Sequence, residues 1–354
     1  MLKRYVGDKA FYRRILAIAL PIIVQNAITN FVALLDNIMV GQLATAQISG
    51  VTIINNNLMF IFNICMFGAA AGAGIFTTQF RGSGDDVGIR YTMRFKLLIA
   101  GVFSCLFIGV FLLWDDVLIR LFLTGEGSAA DAAQTLAYGW KYLLVMLWGL
   151  PAFALSTSYS STLREGGQTL VPMVAGICGV LVNLVLNYAL IFGHLGFPEM
   201  GIEGAALATV ISRYVELLIV MIWTHAKKAK NIFIQTAFHS IRIPAQLLKQ
   251  ILIKGIPLLM NEALWASGMA IMNQCYSTRG LDVVAAINIS STVSNLFFCA
   301  FFAMGSSIAI MIGQLLGAGE LERAGDEDRK LIAFAVALCA VGKSPRCLSH
   351  GEKG

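Results

Sequence analysis

The chain has 354 residues, of which 57% are hydrophobic and only 13% charged, and its mean hydropathy is +0.74. Soluble domains carry about twice that share of charge, so the composition excludes a soluble fold and indicates an all-α polytopic membrane protein. The formal net charge of +6 would suggest a nucleic-acid partner in a soluble chain; here its placement carries topology instead, and no nucleic acid is expected.

Apolar runs of about 20 residues fall at 15–38, 47–76, 97–114, 136–158, 170–193, 203–224, 251–275 and 283–312, with a short ninth from 331. About nine transmembrane helices are therefore expected. The run after Arg14 is too long for a signal-peptide core and reads as the first span. Basic residues then sort by side. Nineteen Lys and Arg fall at the N-terminus and in the loops holding Arg81 to Lys96, Arg164, Lys227 to Lys254 and Arg323 to Lys330. Only Arg120, Lys141 and Arg279 fall opposite them. The positive-inside rule makes the N-terminus cytoplasmic and 225–250 a cytoplasmic linker.

A repeat orders these helices. Pro21 and Pro257 lie 236 residues apart, and Gln79-Phe-Arg-Gly82-Ser-Gly84 returns as Gln314-Leu-Leu-Gly317-Ala-Gly319 at a spacing of 235. Asn55-Asn56-Asn57 falls opposite Ser290-Ser291-Thr292 at that same spacing. The period is far beyond a solenoid repeat and matches half a transporter. The expected organisation is a six-helix lobe over 1–224, the linker, an incomplete second six-helix repeat over 251–341 and an aberrant polar tail at 342–354. The tail has no helical pattern, and the sequence reads as C-terminally truncated, which raises the alternative of a non-transporting gene fragment.

Ionisable groups inside spans are costly and mark candidate functional residues. Glu262 lies about 16 Å along its helix, near the midplane, where it would hold a proton or a cation, or else bond a neighbouring helix. Asp36 is either an ion-handling acid or a boundary carboxylate near Gly41. Arg213 and Glu216, three apart, are expected to pair. Asn183 and Asn187, four apart, share a helix face that lines a polar cavity or glues helices together. Gln25, Asn26, Asn57, Asn261 and Asn295 are the substrate-cavity candidates. Phe60, Phe62, Met66, Phe297, Phe298, Phe302 and Met304 would form an apolar wall for flat organic cations, unless they face lipid. Pro21, Pro151 and Pro257 are expected helix bends.

Seven cysteines show no paired spacing and four scattered histidines offer no metal site. No nucleophile, phosphate-loop or nucleotide motif is present, so neither an enzyme nor an organic cofactor is expected.

Taken together, Asp36-Asn-Ile-Met-Val-Gly41, Gln79-x-x-Gly-x-Gly, the stretch Asn187 to Thr209, Gly255-Ile-Pro-Leu-Leu-Met-Asn-Glu262 and Gly305 to Gly319 resemble the multidrug and toxic compound extrusion (MATE) family over about residues 10–340. The resemblance implies two six-helix lobes exporting cationic drugs across a bacterial-type cytoplasmic membrane against inward sodium or protons. It assigns Asp36 and the helix-5 position to proton coupling in the first lobe, and Glu262 to the acid associated with sodium. Many relatives have Asp where this chain has Asn187, which points away from proton coupling there. Organic cations and membrane lipids are the expected partners, and the chain is expected to act as a monomer. A lipid-linked saccharide flippase on a related fold is the alternative; it would show a more basic cavity.

Overall fold

The computed structural model describes residues 5–114, 117–119, 129–194, 196–229, 231–235, 237–277 and 281–342. Side chains within its helices are described except at 45, 129–132, 270, 273, 274, 276, 277, 281–293, 295–297 and 338–342. The polar tail lies outside the described residues from 343 onward.

Every regular element among the described residues is helical. The long helices are α1 (Lys9–Val40), α2 (Thr45–Ile53), α3 (Phe60–Ser83), α4 (Asp86–Leu113), α5 (Ala129–Leu147), α6 (Gly149–Glu165), α7 (Leu170–Phe192), α8 (Gly201–Ala226), α9 (Ala245–Ser277), α10 (Leu281–Gly317) and α11 (Leu321–Gly342). Asp8 caps α1 by accepting from the Phe11 amide at 2.7 Å, and Asp85 caps α4 by accepting from Val87 and Gly88. Each carboxylate satisfies donors that the first turn leaves open.

A six-residue π-helical segment, Ile54–Met59, joins α2 to α3 and contains the Asn55–Asn57 triplet. The second apolar run is thus one span, Ala46–Ser83, with a widened turn inside it. The fourth run is two helices, bent by 46° at Trp148. Pro151 has no N–H to give the Leu147 carbonyl, and the Trp148 amide turns back to Val145 at 3.2 Å. By contrast, α1 and α9 continue through Pro21 and Pro257. Of the three prolines expected to bend their helices, Pro151 thus sits beside a break between two helices, while Pro21 and Pro257 each lie inside one continuous helix.

Six described helices are long and apolar enough to cross a membrane, or seven if the bent pair α5–α6 is one span. α9, whose centre carries Asn261 and Glu262, is not among them. α4 begins at Asp86, eleven residues before the run read from sequence. Arg90, Arg94 and Lys96 are therefore helix residues, which corrects their placement in a loop.

α7 packs extensively on α8 and also on α1, while α8 packs on α5 and α6. α4 lies against α3 and α6. The remaining helices meet this bundle along a seam in which α3 touches α9 and α10, and α1 touches α10. Phe11, Ile15, Ile18 and Ile22 of α1 share a core there with Met304, Ile310 and Met311 of α10.

The repeated Gln-x-x-Gly motif closes this seam. A methyl group on Gly82 would overlap the Gln314 carbonyl, and one on Gly317 would overlap the Gln79 carbonyl. Gly313 presses likewise on the Thr78 side chain, and a Cβ on Gly72 would lie 2.6 Å from the Gly255 Cα. The two copies of the motif thus meet reciprocally: the glycine of each receives the glutamine backbone of the other. The Gln314 amide adds a bond to the Glu165 carbonyl at 3.0 Å.

Candidate ion and substrate site

Two polar constellations lie inside the apolar bundle. In the first, α1 brings Asp36 to α7, where the Asn187 side-chain amide donates to Asp36 Oδ1. That same amide reaches Asn183 Oδ1 at 3.2 Å, and Asn183 Nδ2 donates to Thr209 Oγ1 of α8 at 3.3 Å. Thr209 in turn donates to the Ala205 carbonyl at 3.0 Å. The i, i+4 spacing of the two asparagines places both on the face towards α1 and α8. Asn187 is fully buried, and its Oδ1 has no hydrogen-bond partner among the described residues. A buried acceptor without a donor is costly. Close by, Asn55 in the π-helical segment donates to the buried Tyr142 hydroxyl at 3.0 Å.

The second constellation was not legible as a site in the sequence. Lys96, 2% exposed, places Nζ 2.5 Å from Glu165 Oε2 and 3.1 Å from Ser161 Oγ. Next to it, Arg164 donates to Gln25 Oε1 at 2.7 Å. Gln25 is buried against Gly176 within the bundle, so this cavity candidate is engaged as the partner of Arg164. Arg213 and Glu216 pair at 3.3 Å as their spacing suggested.

The other expected residues lie apart from these two constellations. Asn26, half-buried, offers its carbonyl to Asn30, whose amide also meets Cys299 Sγ of α10 at 2.8 Å. Asn57 donates back to the Ile53 carbonyl at 3.2 Å within the π-helical segment. Asn261 is exposed and Glu262 half-buried on α9. Among the described residues, neither a hydrogen bond nor an ion pair holds the Glu262 carboxylate. The side chains of Asn295 and Phe297 lie outside the described ones. Of the apolar wall, Phe62, Met66 and Met304 are buried in cores, whereas Phe60, Phe298 and Phe302 are exposed. The structure thus joins Asp36, Asn183 and Asn187, and leaves Glu262 across the seam on α9, a helix that packs on α3 and α10.

Described from its own geometry, this is a multi-pass helical membrane protein in which a two-fold sequence repeat meets across a polar-edged seam. The chain belongs to the MatE family, whose model matches residues 21–189 and 257–342; the two matches start at the repeated prolines. It is 28% identical over 316 residues to a probable multidrug resistance protein NorM of Thermotoga maritima, covering 88% of this chain and 64% of that one. A probable multidrug resistance protein NorM of Pasteurella multocida is 27% identical over 317 residues, covering 88% and 65%. The chain spans about two-thirds or slightly less of these relatives. A solved outward-facing conformation of a multidrug resistance MATE family transporter superposes with a TM-score of 0.82 at 20% identity, covering 96% of this chain and 72% of that one. This likeness fixes the fold.

Proposed function

We propose that the chain serves the export of small organic cations across a bacterial-type plasma membrane, driven by inward sodium or protons, with no organic cofactor. The observation that carries this reading is the Asp36–Asn187–Asn183–Thr209 ladder, a carboxylate threaded into three helices of an apolar bundle. Such a group is expensive to retain unless it binds and releases something. An amide does not exchange a proton in the physiological range, so Asn187 orients Asp36 and takes no proton from it. Glu262, held by no described partner, is the second candidate ion ligand.

Reconstituted protein is expected to show sodium-stimulated export of ethidium. Glu262→Gln, nearly isosteric, should abolish the stimulation while preserving the folded protein. Asp36→Asn should remove any component driven by protons. One charge moving inward at about 100 mV contributes roughly 2.3 kcal/mol, enough for about a 50-fold substrate gradient. Normal sodium-driven export by Glu262→Gln would take that acid out of the mechanism. Equal export on a proton gradient in sodium-free vesicles would overturn the preference for sodium.

The orientation proposed with this function has the N-terminus and the 227–244 segment in the cytoplasm. In a background without native cysteines, an impermeant maleimide added to intact cells should react with Glu199→Cys and spare Lys228→Cys. The reverse labelling pattern would invert the topology.

A further inference from the structure

We propose that the segment between α8 and α9 is a membrane-interface strap that binds anionic phospholipid headgroups, an interaction beyond the transport reading and independent of it. Residues 227–244 were expected to be a plain linker. The structure gives the described residues of this segment, 227–229, 231–235 and 237–244, two faces. On one, Asn231, Phe233, Ile234 and Ala237 are buried. Phe233, Ile234 and Ala237 share a core with Ile89, Met93 and Val220 of the helix bundle. On the other, Phe238 and Ile241 are 62% and 72% exposed, with Ile232 beside them at 45%.

The level of the strap follows from its anchors. Arg90 donates to the Phe233 carbonyl at 3.3 Å, and Arg94 donates to the Ala237 carbonyl at 2.8 Å and the Arg242 carbonyl at 3.1 Å. These arginines lie four and eight residues into α4, roughly 6 and 12 Å along its axis at 1.5 Å per residue. The strap therefore runs along the first turns of a spanning helix, at the depth of the headgroups, and not free in water beneath them. Its exposed apolar side chains face a layer in which such groups are buried about 5–10 Å deep.

Charge then selects the lipid. Lys227, Lys228 and Arg242 are exposed on the strap, and among the described residues no acid pairs with them. Basic side chains flanking interfacial apolar ones bind anionic headgroups, with a gain of roughly fivefold per residue near the surface. A soluble protein partner would have to reach the strap through that lipid layer.

The test uses the full chain in nanodiscs of phosphatidylcholine mixed with phosphatidylglycerol. A benzophenone side chain replacing Ile241 is photoactivated, and the lipid adducts are identified by mass spectrometry; the same probe replacing the exposed Leu106 reports the bulk lipid. Phosphatidylglycerol adducts at 241 should exceed those at 106 several-fold. The combined Lys227→Gln, Lys228→Gln and Arg242→Gln variant should abolish that excess, bringing the adducts at 241 down to the ratio seen at 106. Charge neutralisation at exposed positions leaves the buried face intact, and unchanged adducts at 106 verify a folded, inserted protein. Adducts at 241 that merely follow the lipid composition, or no lipid adducts there, would overturn the proposal.

Discussion

Glu165→Ala is expected to cost about 3–5 kcal/mol of stability, the scale of breaking one side of a buried ion pair. Lys96 Nζ and Glu165 Oε2 lie 2.5 Å apart, with side chains 1% and 12% exposed. Removing the carboxylate leaves Lys96 with Ser161 at 3.1 Å and Thr162 at 3.4 Å, and neither neutral hydroxyl can offset its charge. Truncating Glu165 also removes a side chain that lies against Gly74 of α3. The double variant Lys96→Met with Glu165→Leu should recover much of the loss, since replacing both partners by apolar groups is often neutral. Thermal and denaturant unfolding in detergent checks both expectations. A Glu165→Ala protein as stable as the parent would mean that water already screens the pair.

This pair marks the limit of what the sequence revealed. Hydropathy located the helices because burial in lipid demands long apolar runs, and it blurred their ends wherever a charge sat inside one. Lys96 looked like a loop residue because a basic side chain shortens an apolar window. Its partner stands 69 residues away, a relation that no local spacing encodes. The Asp36 ladder was half legible. Four-residue spacing put Asn183 and Asn187 on one face, but their meeting with Asp36 spans 151 residues and depends on how α1 packs on α7. Gln25 is similar: its polarity suggested a cavity, and its bond with Arg164 spans 139 residues, a relation that no local spacing encodes. The repeat survived best, because a fixed offset of Pro, Gln and Gly does not depend on where any helix begins.

That repeat leads to the other large expected effect. Gly82→Ala, and separately Gly317→Ala, should force the seam open. In each case the added methyl group would overlap a backbone carbonyl of the opposite motif, at Gln314 or Gln79. A carbonyl cannot swing aside as a flexible side chain can, and non-bonded heavy atoms settle at about 3.5–4 Å. The helices must therefore separate by about 1.5 Å or more at this point, and packed interfaces respond to such a wedge by changing state instead of deforming smoothly. Spin labels on Arg81→Cys and Glu320→Cys, both exposed beside the motifs, should report a longer distance across the seam in either variant. Gly305→Ala is the matched control, since nothing lies within 4 Å of its would-be Cβ, and it should leave the distance unchanged. The reciprocity makes the expectation strict: equal steric insults from opposite sides of a two-fold seam should shift it in the same direction. Unaltered distances in both alanine variants would show that the two motifs can slide past each other, and that the glycines do not hold the seam shut.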